Sequence, residues 1–323
     1  MSSHCSPFGV ERGFIMRQSV QEMIAQSKGK KNKQFVEKMI PVILFLIASV
    51  SVLTTIGIML TLIFETITFF TRVSITDFLF GTTWLPFSNK EAQYGILPLI
   101  VGTLKVTLIA ILVAVPIGIS AAIYLSDYAS ENVRRVLKPL LEVLAGIPTI
   151  VYGFFALTFV TPLLQSAFPD IKIFNAISPG IVVGIMIIPM IASLSEDAMS
   201  SVPKSIREGA LAMGSTKFEV AWKITVPAAL SGIVASVVLA ISRAIGETMI
   251  VSLAAGSTPK FDGDFTGSIQ TMTAYIVQVS KGDAGYGTTI YYSIYAVGFT
   301  LFIFTMIMNI VANYVSKRFR EEY

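Results

Sequence analysis

A chain of 323 residues that is 54% hydrophobic and only 14% charged lacks the solvated surface of a soluble domain, in which about a quarter of residues carry charge. The single cysteine, Cys5, excludes an intrachain disulfide, and a net charge of +4 with no basic patch of interleaved aromatics excludes a nucleic-acid surface. No Gly-x-x-x-x-Gly-Lys-Ser/Thr loop, metal-ligand cluster or nucleophile–base arrangement occurs, so the sequence reads as a non-enzyme without cofactor or metal.

The first 38 residues form a polar, lysine-rich tail with a short amphipathic stretch at 14–25. Six apolar runs follow, at 39–64, 96–125, 140–164, 178–194, 230–255 and 288–315. A bilayer core of roughly 30 Å needs about 20 apolar residues as a helix, so each is a candidate span, the fourth rather short. The first run is too long, and starts too far along the chain, to be a cleaved signal peptide. Together they predict an all-α polytopic membrane bundle of six helices, with the transmembrane body over 39–323.

Orientation follows from the cations. Of 24 Lys and Arg residues, only Arg72, Lys90, Lys172, Lys260 and Lys281 fall on one side, and Lys105 and Arg243 lie within spans. The others occupy the tail, the 126–139 and 195–229 segments and the C-terminus, which places both termini in the cytoplasm. The outer segments, 65–95 and 256–287, are rich in Gly, Thr, Ser and Asp and read as surface loops, with a short helix near 268–280.

The cytoplasmic segment 195–229 is the most informative. It holds Glu208-Gly209-Ala210, three residues, Gly214, nine residues, then Ile224-Thr225-Val226-Pro227. Glycine supplies φ > 0 at a helix end and proline cannot continue a helix, so the stretch predicts a helix–Gly–helix elbow with the second helix stopped before Pro227. The pattern resembles the EAA loop of binding-protein-dependent ABC importer permeases: E-A-A, three residues, G, nine residues, I-x-L-P. It departs from it in Gly209 for an alanine and Val226 for the leucine. The resemblance implies a type I importer permease (MetI-like) fold. It also implies that Glu208, Gly209, Ala210, Gly214 and Pro227 belong to an element docking on a cytoplasmic ATPase.

The resemblance spans about residues 40–315 and is strongest to phosphate importer permeases of the PstC type. Gly81-Thr82-Thr83-Trp84-Leu85-Pro86, Tyr94-Gly95-Ile96-Leu97-Pro98, the Pro116–Leu125 run, Ser242-Arg243-Ala244-Ile245-Gly246-Glu247-Thr248-Met249 and Thr271-Met272-Thr273-Ala274 carry it. It implies a cell-membrane subunit paired with a second, PstA-like permease, a cytoplasmic PstB-like ATPase dimer and an extracytoplasmic PstS-like phosphate-binding protein. A permease for sulfate or molybdate, and a carrier or channel needing no ATPase, are the alternative readings.

Arg243 and Glu247 fall midway along the fifth run, where an uncompensated charge costs from about 3 to above 10 kcal/mol. In a continuous helix, the i, i+4 spacing puts them on one face with Cβ atoms ~6 Å apart. They either neutralise each other or line a polar path in which the guanidinium meets an oxyanion. The resemblance places the family's phosphate-path Arg and Glu on these two positions. Lys105 either snorkels to the outer interface or joins the path. Pro116, Pro148 and Pro189 mark kinks or breaks inside spans.

Overall fold

The computed structural model describes residues 31–88 and 91–318. The expected amphipathic stretch at 14–25, with Cys5, lies outside them. The chain divides into two units, Met1–Thr61 and Leu62–Tyr323.

The first unit contains most of helix α1, Lys31–Phe70. From residue 39 to 61 no side chain is buried, although nearly all are apolar. An all-round apolar helix that buries nothing has the composition of a membrane span.

The second unit continues with α2 (Ile75–Phe80), a hairpin of β1 (Trp84–Leu85) and β2 (Gln93–Tyr94), and α3 (Leu97–Tyr128). Helices α4 (Glu131–Gly146), α5 (Thr149–Ala167) and α6 (Ile177–Ser200) follow. An elbow comes next, α7 (Lys204–Ala212) and α8 (Lys217–Ala228). The chain closes with α9 (Leu230–Ile245), α10 (Met249–Ala254), α11 (Met272–Gln278) and α12 (Thr289–Arg318). Among the described residues, five helices are long and apolar enough to cross a membrane; a sixth is counted if α8 and α9, bent by 73°, form one span. This is a multi-pass membrane protein.

Two helices organise the core. Val106, Ala110 and Ala114 of α3 pack with Val183, Met186, Ile187 and Ile191 of α6. Small residues among them let the backbones come close, which is how apolar helices gain contact energy where lipid removes the hydrophobic drive. Pro116 and Pro189 sit inside these helices without breaking them.

Pro148 is different. The run expected to span from 140 to 164 begins instead at Thr149, because Ile147 and Pro148 are extended (ψ 131° and 134°) and end α4. Proline's ring disfavours the helical state of the residue before it. The apolar residues of α4 are one face of an amphipathic helix that buries no side chain, with Val136, Leu140 and Val143 exposed.

The fifth expected span, 230–255, is also interrupted: α9 stops at Ile245 and α10 starts at Met249.

The segment read as a surface loop at 65–95 holds a second core. Phe69, Phe78, Trp84 and Tyr94 are buried with Tyr275 of α11, and their rings meet edge to face at 4.8–6.3 Å. That geometry aligns the positive ring edge with the negative face. The hairpin closes on a backbone contact: a Cβ on Gly81 would lie 2.6 Å from Gly95 Cα, so neither position has room for a side chain.

Candidate functional site

Arg243 occupies the last turn of α9, where the carbonyl end of the helix favours a cation. Its side chain is exposed, and among the described residues it has neither an ion-pair nor a hydrogen-bond partner. Tyr152 of α5 donates its hydroxyl to the Leu144 carbonyl at 2.7 Å.

Glu247 does not neutralise Arg243. The helix ends between the two, so the i, i+4 geometry assumed for a continuous helix is absent. The Glu247 side chain is buried, and its Oε1 accepts from the Met249 and Ile250 amides at 3.0 and 3.2 Å. These are the unpaired N–H groups that open α10, so the carboxylate is compensated by a helix start. Thr273 on α11 donates to the Glu247 carbonyl at 2.7 Å and ties the break to the next element.

Lys105 on α3 contrasts with Arg243. It is buried, and its Nζ donates to Asp262 Oδ1 at 3.0 Å and to the Asp264 carbonyl at 2.6 Å, over the Phe265 ring at 5.4 Å. The ammonium reaches the 256–271 segment and is paired there inside the protein. The Lys105 ammonium holds the Asp262 carboxyl below the usual carboxylate range, helped by the Asp264 amide.

The elbow has the predicted helix–Gly–helix form. Gly214 has φ +92°, its amide bonds Leu211 O at 3.0 Å, and the Ser215 amide reaches Ala210 O at 3.2 Å. This pairing satisfies the last carbonyls of α7 and needs a left-handed residue at that point. Thr216 and Glu219 then form a reciprocal cap that starts α8. The Thr216 amide, and after it Lys223, hold the Glu219 carboxyl low.

Glu208 and Gly209 are exposed, Ala210 is half-buried, and Leu211, Met213, Phe218 and Trp222 leave large apolar surface uncovered. Pro227 does not stop the helix as expected. A π-helical turn at Ala221–Thr225 precedes it and absorbs the missing amide bond, and the chain bends at Ala229 instead.

Ion pairs that the sequence does not reveal fasten these elements. Glu196, fully buried at the end of α6, binds Arg134 and Lys138 of α4, the latter at 2.9 Å. Lys138 also bonds Asp197 at 2.7 Å; that bond, then Glu196, raises its ammonium above the usual lysine range. Arg207 of α7 bonds Asp127 of α3 at 2.8 Å and the Met199 carbonyl of α6. Each pair joins residues some 60 to 80 positions apart, so the only sequence signal is a charge beside an apolar run.

Residues 114–321 match the family model described as binding-protein-dependent transport system inner membrane component. The chain is 34% identical over 249 residues to the probable ABC transporter permease protein YqgH of Bacillus subtilis (strain 168), covering 76% of this chain and 79% of that protein. It is 33% identical over 262 residues to the phosphate transport system permease protein PstC of Xylella fastidiosa (strain 9a5c), covering 75% and 79%. A chain in an inward-facing structure of the MetNI methionine ABC transporter superposes with a TM-score of 0.52 at 16% identity, over 70% of this chain and 95% of that one. That last likeness is one of fold.

Proposed function

The chain belongs to the family of binding-protein-dependent transport system inner membrane components, and from this premise we propose that it is the PstC-like permease subunit of an ATP-driven importer of inorganic phosphate. It lines the translocation path together with a second, PstA-like permease. Two copies of a PstB-like ATPase sit below, and a PstS-like binding protein delivers phosphate from outside.

Both termini and the α7–α8 elbow face the cytoplasm, as the distribution of cations requires. Exposed Leu211, Met213, Phe218 and Trp222, with Glu208 beside them, form the surface that enters the ATPase. An apolar patch of this kind on a cytoplasmic elbow is the mark of a protein interface.

The observation that carries the anion reading is the uncompensated Arg243. A guanidinium on an apolar helix, with its neighbouring carboxylate engaged elsewhere, is supported by an approaching oxyanion or by water in a path. Glu247 shapes the break that presents it: by capping α10 it keeps the α9 C-terminus, and Arg243 with it, open to the path. Release is then possible because the arginine binds from a single wetted side.

The test is uptake of radiolabelled phosphate by the importer reconstituted in liposomes. Arg243→Ala is expected to abolish uptake while the ATPase subunit still co-purifies; uptake at the wild-type rate would refute the role of Arg243. Equimolar sulfate or molybdate is expected to leave phosphate uptake unchanged, and competition by either would reassign the anion.

A further inference from the structure

We infer that Arg207 is the joint through which the elbow helix α7 moves the spans α3 and α6. The inference rests on the permease reading and names a residue that the reading itself does not use.

Helix α7 has no fully buried side chain, so packing alone does not hold it to the spans. Among the described residues, the only side-chain hydrogen bonds that α7 makes come from Arg207. One guanidinium nitrogen, Nη1, meets Asp127 Oδ1 at 2.8 Å and Ser126 Oγ at 3.4 Å, both at the cytoplasmic end of α3. The other, Nη2, bonds the Met199 carbonyl in the last turn of α6.

The pair is largely shielded, with Arg207 16% and Asp127 8% exposed. A planar fork that bonds two elements at once resists both sliding and rotation, which a lysine's single ammonium does not. Helices α3 and α6 are also the most extensively packed pair in the core, so a displacement applied at their shared end moves them as one body. Glu208, Leu211 and Met213 stay exposed for the partner, while Arg207 holds the inner side. The ATPase therefore grips one set of residues, and the spans receive its motion through another.

The experiment measures phosphate uptake and ATP hydrolysis together in the complete importer reconstituted in liposomes. Arg207→Ala is expected to lower the phosphate moved per ATP by about tenfold, with the ATPase subunit still co-purifying. Because this variant strands Asp127 as a buried charge, a second one removes both groups. Arg207→Ala with Asp127→Ala is expected to assemble and to show no further loss beyond either single variant, since one link is broken in all three. A ratio equal to wild type in Arg207→Ala, or additive losses in the double variant, would overturn the joint while leaving the permease reading standing. A wild-type importer that moved phosphate without hydrolysing ATP would overturn the permease reading, and the joint with it.

Discussion

Two cations lie on apolar helices, and the protein treats them in opposite ways. Lys105 is buried in α3 and satisfied twice, by Asp262 and by the Asp264 carbonyl. Arg243 ends α9 exposed, and the carboxylate four residues on is spent on the start of α10. A charge that serves architecture is matched inside the chain. In the function proposed, Arg243 is the charge kept available for transport, with its cost met by water, a helix terminus or the passing ion.

The contrast is open to direct attack. Arg243→Met should show the largest effect. Loss of charge-assisted hydrogen bonds worth ~1.5–3 kcal/mol cuts phosphate uptake about 10- to 100-fold, with the melting temperature of the purified subunit unchanged. A melting temperature that fell in step with uptake would make Arg243 structural. Lys105→Met should do the reverse. Leaving Asp262 and a carbonyl without their donor costs about 1–3 kcal/mol of stability, and uptake per folded molecule is retained; thermal unfolding alongside transport distinguishes the two.

Glu247 sits between these cases. Glu247→Ala removes the acceptor that opens α10 and should cost ~0.5–2 kcal/mol, whereas Glu247→Gln keeps an oxygen there and should cost less. Equal losses in the two variants would point to the charge rather than the cap. The smallest effect concerns acid. Asp262 has its pKa depressed in the folded state, so its contribution is complete above the unfolded value of about 3.9 and is lost as pH falls through the lower, folded one. Hydrogen exchange in the 256–271 segment should therefore accelerate below that pH in the wild type, and Asp262→Asn should flatten the response.

Much of the architecture was legible because hydropathy reports a local quantity. The spans around Val50, Ala110, Ile187 and Phe302 stand where the apolar runs place them. The departures arise where local composition is ambiguous or the partner lies far along the chain. Leu140, Val143 and Leu144 prolong an apolar run, yet they belong to an amphipathic helix whose polar face carries Arg134 and Lys138, and only Pro148 signals the boundary. Gly246–Thr248 interrupts the fifth span with residues common inside membrane helices, so the break, and the fate of Glu247, could not be read. The aromatic core around Trp84 was taken for a loop because Tyr275, its nearest ring partner, is far along the chain. The Gly214 turn, by contrast, was predicted correctly: its demand for a left-handed residue is written in one position.

The glycine contact in the hairpin has a consequence for how this surface can change over time. Gly81 and Gly95 press backbone against backbone, and a methyl on either would strike main chain, which cannot rotate aside. A substitution at one therefore cannot be rescued by a substitution at the other, since each needs the same absence. In a saturation library both columns should empty of every alternative, while exposed Thr82 between them tolerates most, leaving two invariant points astride a freely drifting one.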